Sequence, residues 1–186
     1  TLGDHRRVLG VIRPTVEAIS PLTETRHVGL LATAGTVNSG SYAMELHKLS
    51  PDIELTSQAC PMWVPLVENY EFDSPGADYF VRKRIEGILR LDPQIDTLIL
   101  GCTHYPLLMN KIIKYTPPGV RIGPQGEYVA ASLRNYLKRH PEMEQALSRQ
   151  GTCHYLTTES AEKFNQSAAL FMHENVKADV VELEKN

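Results

Sequence analysis

Apolar positions along this chain fall into short continuous runs that alternate with stripes at helical spacing. Val8-Leu-Gly-Val-Ile-Arg-Pro14 is an apolar run stopped by Pro14 and reads as the end of a strand, with Thr15 to Ile19 placed to open a helix. Val28 to Thr33 is a second apolar run. After it, Val37 to Leu49 sets Tyr42, Leu46 and Leu49 at i, i+4 and i+7, with Asn38 or Ser39 as N-cap. Ile53, Leu55 and Ser57 alternate with polar neighbours, and Pro61 to Glu68 suits a short helix. A longer helix follows Ser74-Pro75, where proline fits a first turn, and buries Val81, Ile85 and Ile88. Strand Thr97 to Leu100 leads into a helix opening near Pro106 with Leu108, Ile112 and Tyr115 in register, and Val120 to Ile122 forms another strand.

Beyond Pro124 a helix turns Val129, Leu133 and Tyr136 inward, and a polar stretch follows. Strand Cys153 to Leu156, helix Ser160 to Met172 and strand Asp179 to Leu183 close the chain. Strands that are apolar throughout bury both faces, which requires helices on both sides of a parallel sheet. The pattern therefore predicts an α/β fold, an open parallel sheet flanked by helices, with no internal repeat.

At 186 residues with 42% hydrophobic content, the chain can build one full core or two small ones. Its formal charge of -3 and dispersed Lys and Arg give no electrostatic case for nucleic acid. No apolar stretch reaches the roughly 20 residues that span a bilayer, and Thr1 to Arg7 is too polar for a signal peptide, so a soluble, cytoplasmic protein is expected, with no membrane partner. The chain begins at Thr1 rather than Met, which implies that something precedes it in the gene. Three widely spaced cysteines, Cys60, Cys102 and Cys153, argue against a disulfide framework. Cys60 reads as core packing. Cys153 and His154 are adjacent in a strand and point to opposite faces, a poor metal-ligand spacing, so packing is favoured there too.

Chemistry concentrates in Leu98-Ile-Leu-Gly-Cys-Thr-His-Tyr-Pro106, where a buried strand turns at Gly101, exposes Cys102 and enters a helix. Ligands of open α/β sheets bind at the carboxyl ends of strands. A thiol facing a helix N-terminus meets unpaired N–H groups and the positive dipole end, which favour thiolate. His104 could hydrogen-bond the sulfur or a substrate carboxylate, or move a proton. The plainer alternative makes Cys102 a small buried hydrophobe at a strand end.

Gly101-Cys-Thr-His-Tyr-Pro106 resembles the second cysteine motif of the glutamate racemase family. Ala32-Thr-Ala-Gly-Thr-Val-Asn-Ser-Gly-Ser-Tyr42 is similar to that family's Thr-x-x-Thr segment, Cys60-Pro-Met-Trp-Val-Pro-Leu-Val-Glu68 to its Val-Pro-Leu-Val-Glu motif, and Gly10-Val-Ile-Arg-Pro14 to the run into its interlobe connector. The resemblance implies a cofactor-independent two-base reaction in which thiols flank the α-carbon of glutamate, with no metal or pyridoxal phosphate. By resemblance Cys102 acts on L-glutamate, with His104 and Glu68 assisting as catalytic groups. Thr103, Thr33 and the weaker candidate Thr36 bind substrate. Glu68 as a solvated helix end and Thr33 as a capping group remain open alternatives.

The resemblance also implies an organisation: 1–20 as the end of a first lobe and connector, 21–123 as the second lobe, and 124–186 as a return to an incomplete first lobe. The family's Asp-Ser-Gly and Cys-Asn-Thr motifs, the latter supplying the partner thiol, are absent, so the chain alone is expected not to racemise at a useful rate. Its C-terminal part should then expose strand edges and apolar helix faces. Ile122-Gly-Pro-Gln-Gly-Glu127 departs from the usual family wording. Glutamate is the implied small-molecule partner, peptidoglycan supply the implied purpose, and a homodimer the candidate assembly. An aspartate racemase relative is the alternative enzyme, although that branch resembles Gly-Cys-Thr-Glu rather than Gly-Cys-Thr-His. An inactive carboxylate-binding module and a thiol hydrolase are the remaining readings.

Overall fold

Every strand of the main sheet is parallel to its neighbours, in the order β2-β1-β3-β4, in a computed structural model that describes residues 8–123 and 125–183. The strands are β1 (His27–Ala32), β2 (Glu54–Ala59), β3 (Thr97–Gly101) and β4 (Arg121–Gly123). Central β1 and β3 are buried almost from end to end, as their continuous apolar sequences require. The α/β fold class expected from the pattern is the one observed. The described residues form two compact units that divide between Arg139 and His140.

Side-chain alternation assigns the two faces of the sheet. Val28, Leu30 and Ala32 of β1, with Ile99 of β3, meet Val16 and Ile19 of α1 (Ile12–Ile19) and Tyr42 and Leu46 of α3 (Ser41–Leu49). Tyr128 of α7 (Gln125–Arg139) packs on the same cluster. On the other face, Ile88 of α5 (Pro75–Leu91), Ile95 and Leu98 converge over Gly29. Val81, Ile85 and Ile88 of α5 are fully buried, and burying each isoleucine contributes roughly 1.5–3 kcal/mol. Ser74 caps α5 by accepting from the Ala77 N–H at 3.2 Å, with Pro75 in the first turn as expected.

Four local expectations are corrected. The Val8 to Pro14 run is not a strand: residues 12–19 are helical, and Pro14 fits because the first turn has no use for its missing N–H. The helix expected over Val37 to Leu49 is two helices, α2 (Ala34–Ser39) and α3, broken by Gly40 at φ +63°, a left-handed conformation that glycine adopts without steric cost. Thr33, not Asn38 or Ser39, caps the first of them. In α7 no residue is buried, Leu133 is exposed, and Tyr128 rather than Leu133 reaches the core.

The amino-terminal rim of the sheet is tied by Asp96. Its carboxylate accepts from the Glu24 N–H at 2.6 Å, the Thr25 N–H at 2.8 Å and the Thr97 hydroxyl at 2.9 Å, pinning the loop that feeds β1. Burial raises this carboxyl, but the hydrogen bonds from Thr25, Thr23, Glu24 and Thr97 outweigh it and hold the group at about 2. A depressed folded-state value gives stability that is present above the unfolded value of about 4 and is lost as pH falls toward 2. Asp96→Asn should therefore melt at lower temperature than the parent at neutral pH, and the gap between the two melting curves should close between about pH 4 and pH 2. A gap independent of pH would remove the charge from this account.

The second unit contains the turn α8 (Pro141–Gln145), strands β5 (Tyr155–Thr157) and β6 (Ala178–Val180), and helix α9 (Ala161–Met172) capped by Ser160. The strands form a two-stranded parallel pair. Leu156 and Val180 are 58% and 60% exposed, and Leu170 and Met172 of α9 are also exposed, in agreement with the expected open apolar faces. Cys153 and His154 are exposed rather than packed, because β5 begins only at Tyr155. No described helix is long and apolar enough to cross a membrane.

Candidate functional site

Register brings three strand ends into line. Ala32 pairs with Ala59 on one side and with Gly101 on the other, so Thr33, Cys60 and Cys102 each stand one residue beyond the same rim. Neighbouring parallel strands lie about 4.8 Å apart, which sets the scale of this row. It is the carboxyl rim, where an open parallel sheet presents ligand sites.

Cys102 leaves β3 in a bend and is partly exposed, whereas Cys60 is buried. The two thiols differ chemically. Burial pushes Cys60 up to about 12, with nearby Arg84 opposing, so it stays protonated at neutral pH. The helix expected to open near Pro106 does so, but as a single 3-10 turn, Tyr105–Leu108, and the α-helix α6 (Met109–Tyr115) starts only at Met109. A four-residue turn aligns few peptide dipoles, so the dipole argument for the thiolate carries less weight than the side chains do.

Those side chains form a line. His104 Nδ1 lies 3.8 Å from Cys102 Sγ, and His104 Nε2 lies 2.8 Å from Glu68 Oε1. With Glu68 accepting from Nε2–H, the neutral ring turns its Nδ1 lone pair to the thiol and can take its proton, leaving thiolate and imidazolium, the latter stabilised by the carboxylate. Glu68 ends α4 (Trp63–Glu68), 36 positions earlier in the chain. Trp63 fixes that helix: it is fully buried, donates its indole N–H to the Phe80 carbonyl at 3.3 Å, and meets Tyr105 edge to face at 4.7 Å between ring centres. Trp63 thus ties the helix that carries Glu68 to the turn that carries His104.

Thr33 and Thr36 sit at the end of β1 and in the first turn of α2. The Thr33 hydroxyl accepts from the Thr36 N–H at 3.4 Å and pairs with the Thr36 hydroxyl at 3.0 Å, so it caps the helix. Thr103 is exposed in the turn between Cys102 and His104. The structure therefore joins Cys102, His104 and Glu68 directly, sets Thr33 on the same rim and Thr103 in the turn between Cys102 and His104, and bonds Thr36 to Thr33. Sequence reasoning missed Tyr42 and Gln125. Tyr42 was legible only as a buried helix position, yet its ring reaches Gly101 beside the cysteine. Nothing in the local pattern marked Gln125 as its partner across 83 positions.

The arrangement defines a parallel α/β protein with a thiol, an imidazole and a carboxylate in series at the carboxyl rim. No protein-family model matches the chain. It is 37% identical over 174 residues to the glutamate racemase of Shouchella clausii, covering 94% of this chain and 61% of that protein. Among solved structures, it superposes on glutamate racemase isoform RacE1 from Bacillus anthracis with a TM-score of 0.86 and 31% identity, over 97% of this chain and 66% of that one. The glutamate racemase of Francisella tularensis in complex with D-glutamate gives a TM-score of 0.78 at 25% identity, over 92% of this chain and 62% of that one. The chain belongs to the glutamate racemase family. It spans somewhat under two thirds of the length of these relatives.

Proposed function

We propose that this chain supplies one thiol and its proton relay to a cofactor-independent interconversion of L- and D-glutamate. The observation that carries the reading is the line from Glu68 through His104 to Cys102 at an open rim, with 2.8 Å and 3.8 Å separations. The α-proton of an amino acid is very weakly acidic, so the site must hold the substrate still and stabilise negative charge growing toward its carboxylate. Cys102 as thiolate takes the proton, His104 sets its protonation state, and Glu68 orients the imidazole. The hydroxyls of Thr33, Thr36 and Thr103 are the proposed donors to the substrate. The D-glutamate complex of the Francisella relative supports glutamate as the ligand.

Inversion needs a second acid–base group on the opposite face of the planar carbanion. Cys60 is unsuited because it is buried and its thiol is pushed up to about 12, so it could not take the proton in the reverse direction. The partner thiol therefore belongs to the part of the relatives' length that this chain does not span, and the lobe division at 20/21 and 123/124 is proposed on the same footing. Alone, the chain should return the proton to the face it left, giving exchange with little inversion. The enzyme so completed would work in the cytoplasm and feed D-glutamate into peptidoglycan.

Incubation with L-glutamate or L-aspartate in deuterated water, read by loss of the α-proton NMR signal, tests the substrate. Exchange into glutamate alone is expected; exchange into aspartate alone would transfer the chain to the aspartate branch. His104→Ala should lower the exchange rate at saturating glutamate about 100-fold while changing the half-saturating concentration less than about threefold, since the imidazole moves protons rather than binds. A change confined to half-saturation would make His104 a binding group.

A further inference from the structure

The backbone just before Cys102 is closed off by an aromatic ring. A Cβ at Gly101 would stand 3.3 Å from Tyr42 Cε2 and 3.1 Å from the Ala32 Cβ, so the ring edge fills the space beside that glycine and limits how the chain can turn there. Tyr42 is 2% exposed, and its hydroxyl accepts a hydrogen bond from Gln125 Nε2 at 2.6 Å. Gln125 opens α7, so the bond ties α3 to the start of the helix that follows β4.

The pair also determines what the hydroxyl can offer. Burial pushes the Tyr42 phenol above its ordinary value, the Gln125 bond opposes this, and the nearby Cys102 adds to the rise. The phenol consequently keeps its proton at neutral pH. Because the amide N–H donates into the oxygen, that proton points away from Gln125.

We propose that Tyr42, braced by Gln125, is a positioning residue for Cys102, fixing the turn at Gly101 from which the sulfur projects toward His104. The inference rests on Cys102 being the working thiol, but its test reads the sulfur in the absence of glutamate. Failure here therefore leaves the racemase reading standing, and failure of glutamate exchange leaves this result intact.

The test is the rate of Cys102 alkylation by iodoacetamide as a function of pH, followed by peptide mass spectrometry on this chain. Exposed Cys153 serves as the internal control. Tyr42→Phe keeps the ring and removes the hydroxyl; Gln125→Ala removes the brace at a partly exposed position. Both should slow Cys102 at least about threefold at neutral pH and move its profile to higher pH, with Cys153 unchanged. Circular dichroism establishes that each variant is folded, and if Tyr42→Phe is not, Gln125→Ala decides alone. Cys102 reacting as fast as or faster than in the parent, in folded protein, would overturn the proposal.

Discussion

Cys102→Ala should all but abolish exchange of the glutamate α-proton and leave the protein folded. Removing the proposed base should lower the rate about 10³-fold, equivalent to roughly 4 kcal/mol of transition-state stabilisation. The stability cost should be small, below about 1 kcal/mol, because the sulfur is partly exposed at a bend and belongs to neither face of the sheet. Deuterium exchange and a urea melt on the same sample separate the two effects. Exchange that persists in a folded Cys102→Ala protein would assign the proton transfer to another group.

Trp63→Ala should act first on stability and through it on the site. The indole is fully buried, stacks edge to face on Tyr105 and anchors its N–H on the Phe80 carbonyl, so truncation removes packing, an aromatic pair and a hydrogen bond together. A loss of roughly 3–5 kcal/mol is expected. The loss should extend to the site, because Trp63 holds α4 against the turn after Cys102 and Glu68 is the last residue of that helix. Under conditions where the variant remains folded, exchange should fall as it does in His104→Ala. Destabilisation with full exchange activity would show that Glu68 keeps its place without the indole.

The fold was legible where one physical force dominated. Val28 to Thr33 and Thr97 to Leu100 read as buried parallel strands because no polar residue interrupts them apart from the threonines that close the first and open the second. Ser74-Pro75 marked the start of α5 because capping and proline geometry coincide there. The Val8 to Pro14 run misled because apolar residues at a helix start and in a strand end look alike over seven positions. Gly40 was passed over as a break because Tyr42, Leu46 and Leu49 keep helical spacing immediately beyond it.

Within the site, Cys102, His104 and Glu68 were singled out as residues and a His104 bond to the sulfur was among the options, yet the bond between His104 and Glu68 was not. His104 and Cys102 are two positions apart, which pattern alone treats as a weak pair; the turn geometry is what brings the ring nitrogen to the sulfur. Glu68 had a solvated helix end as its alternative reading; its side chain stays half exposed, yet it bonds His104 because Trp63 and Tyr105 dock that helix beside the turn. Thr33 shows the reverse case. Its capping role was open from the sequence, and the structure displays that role directly.

The most direct test joins thiol and substrate in one observation: alkylation of Cys102 in the presence and absence of glutamate. Saturating glutamate, about 10 mM for an enzyme of ordinary affinity, should slow the reaction at Cys102 severalfold and leave Cys153 unaffected. Equal labelling of Cys102 with and without glutamate, in a sample whose Cys153 reacts normally, would contradict a sulfur that faces the substrate.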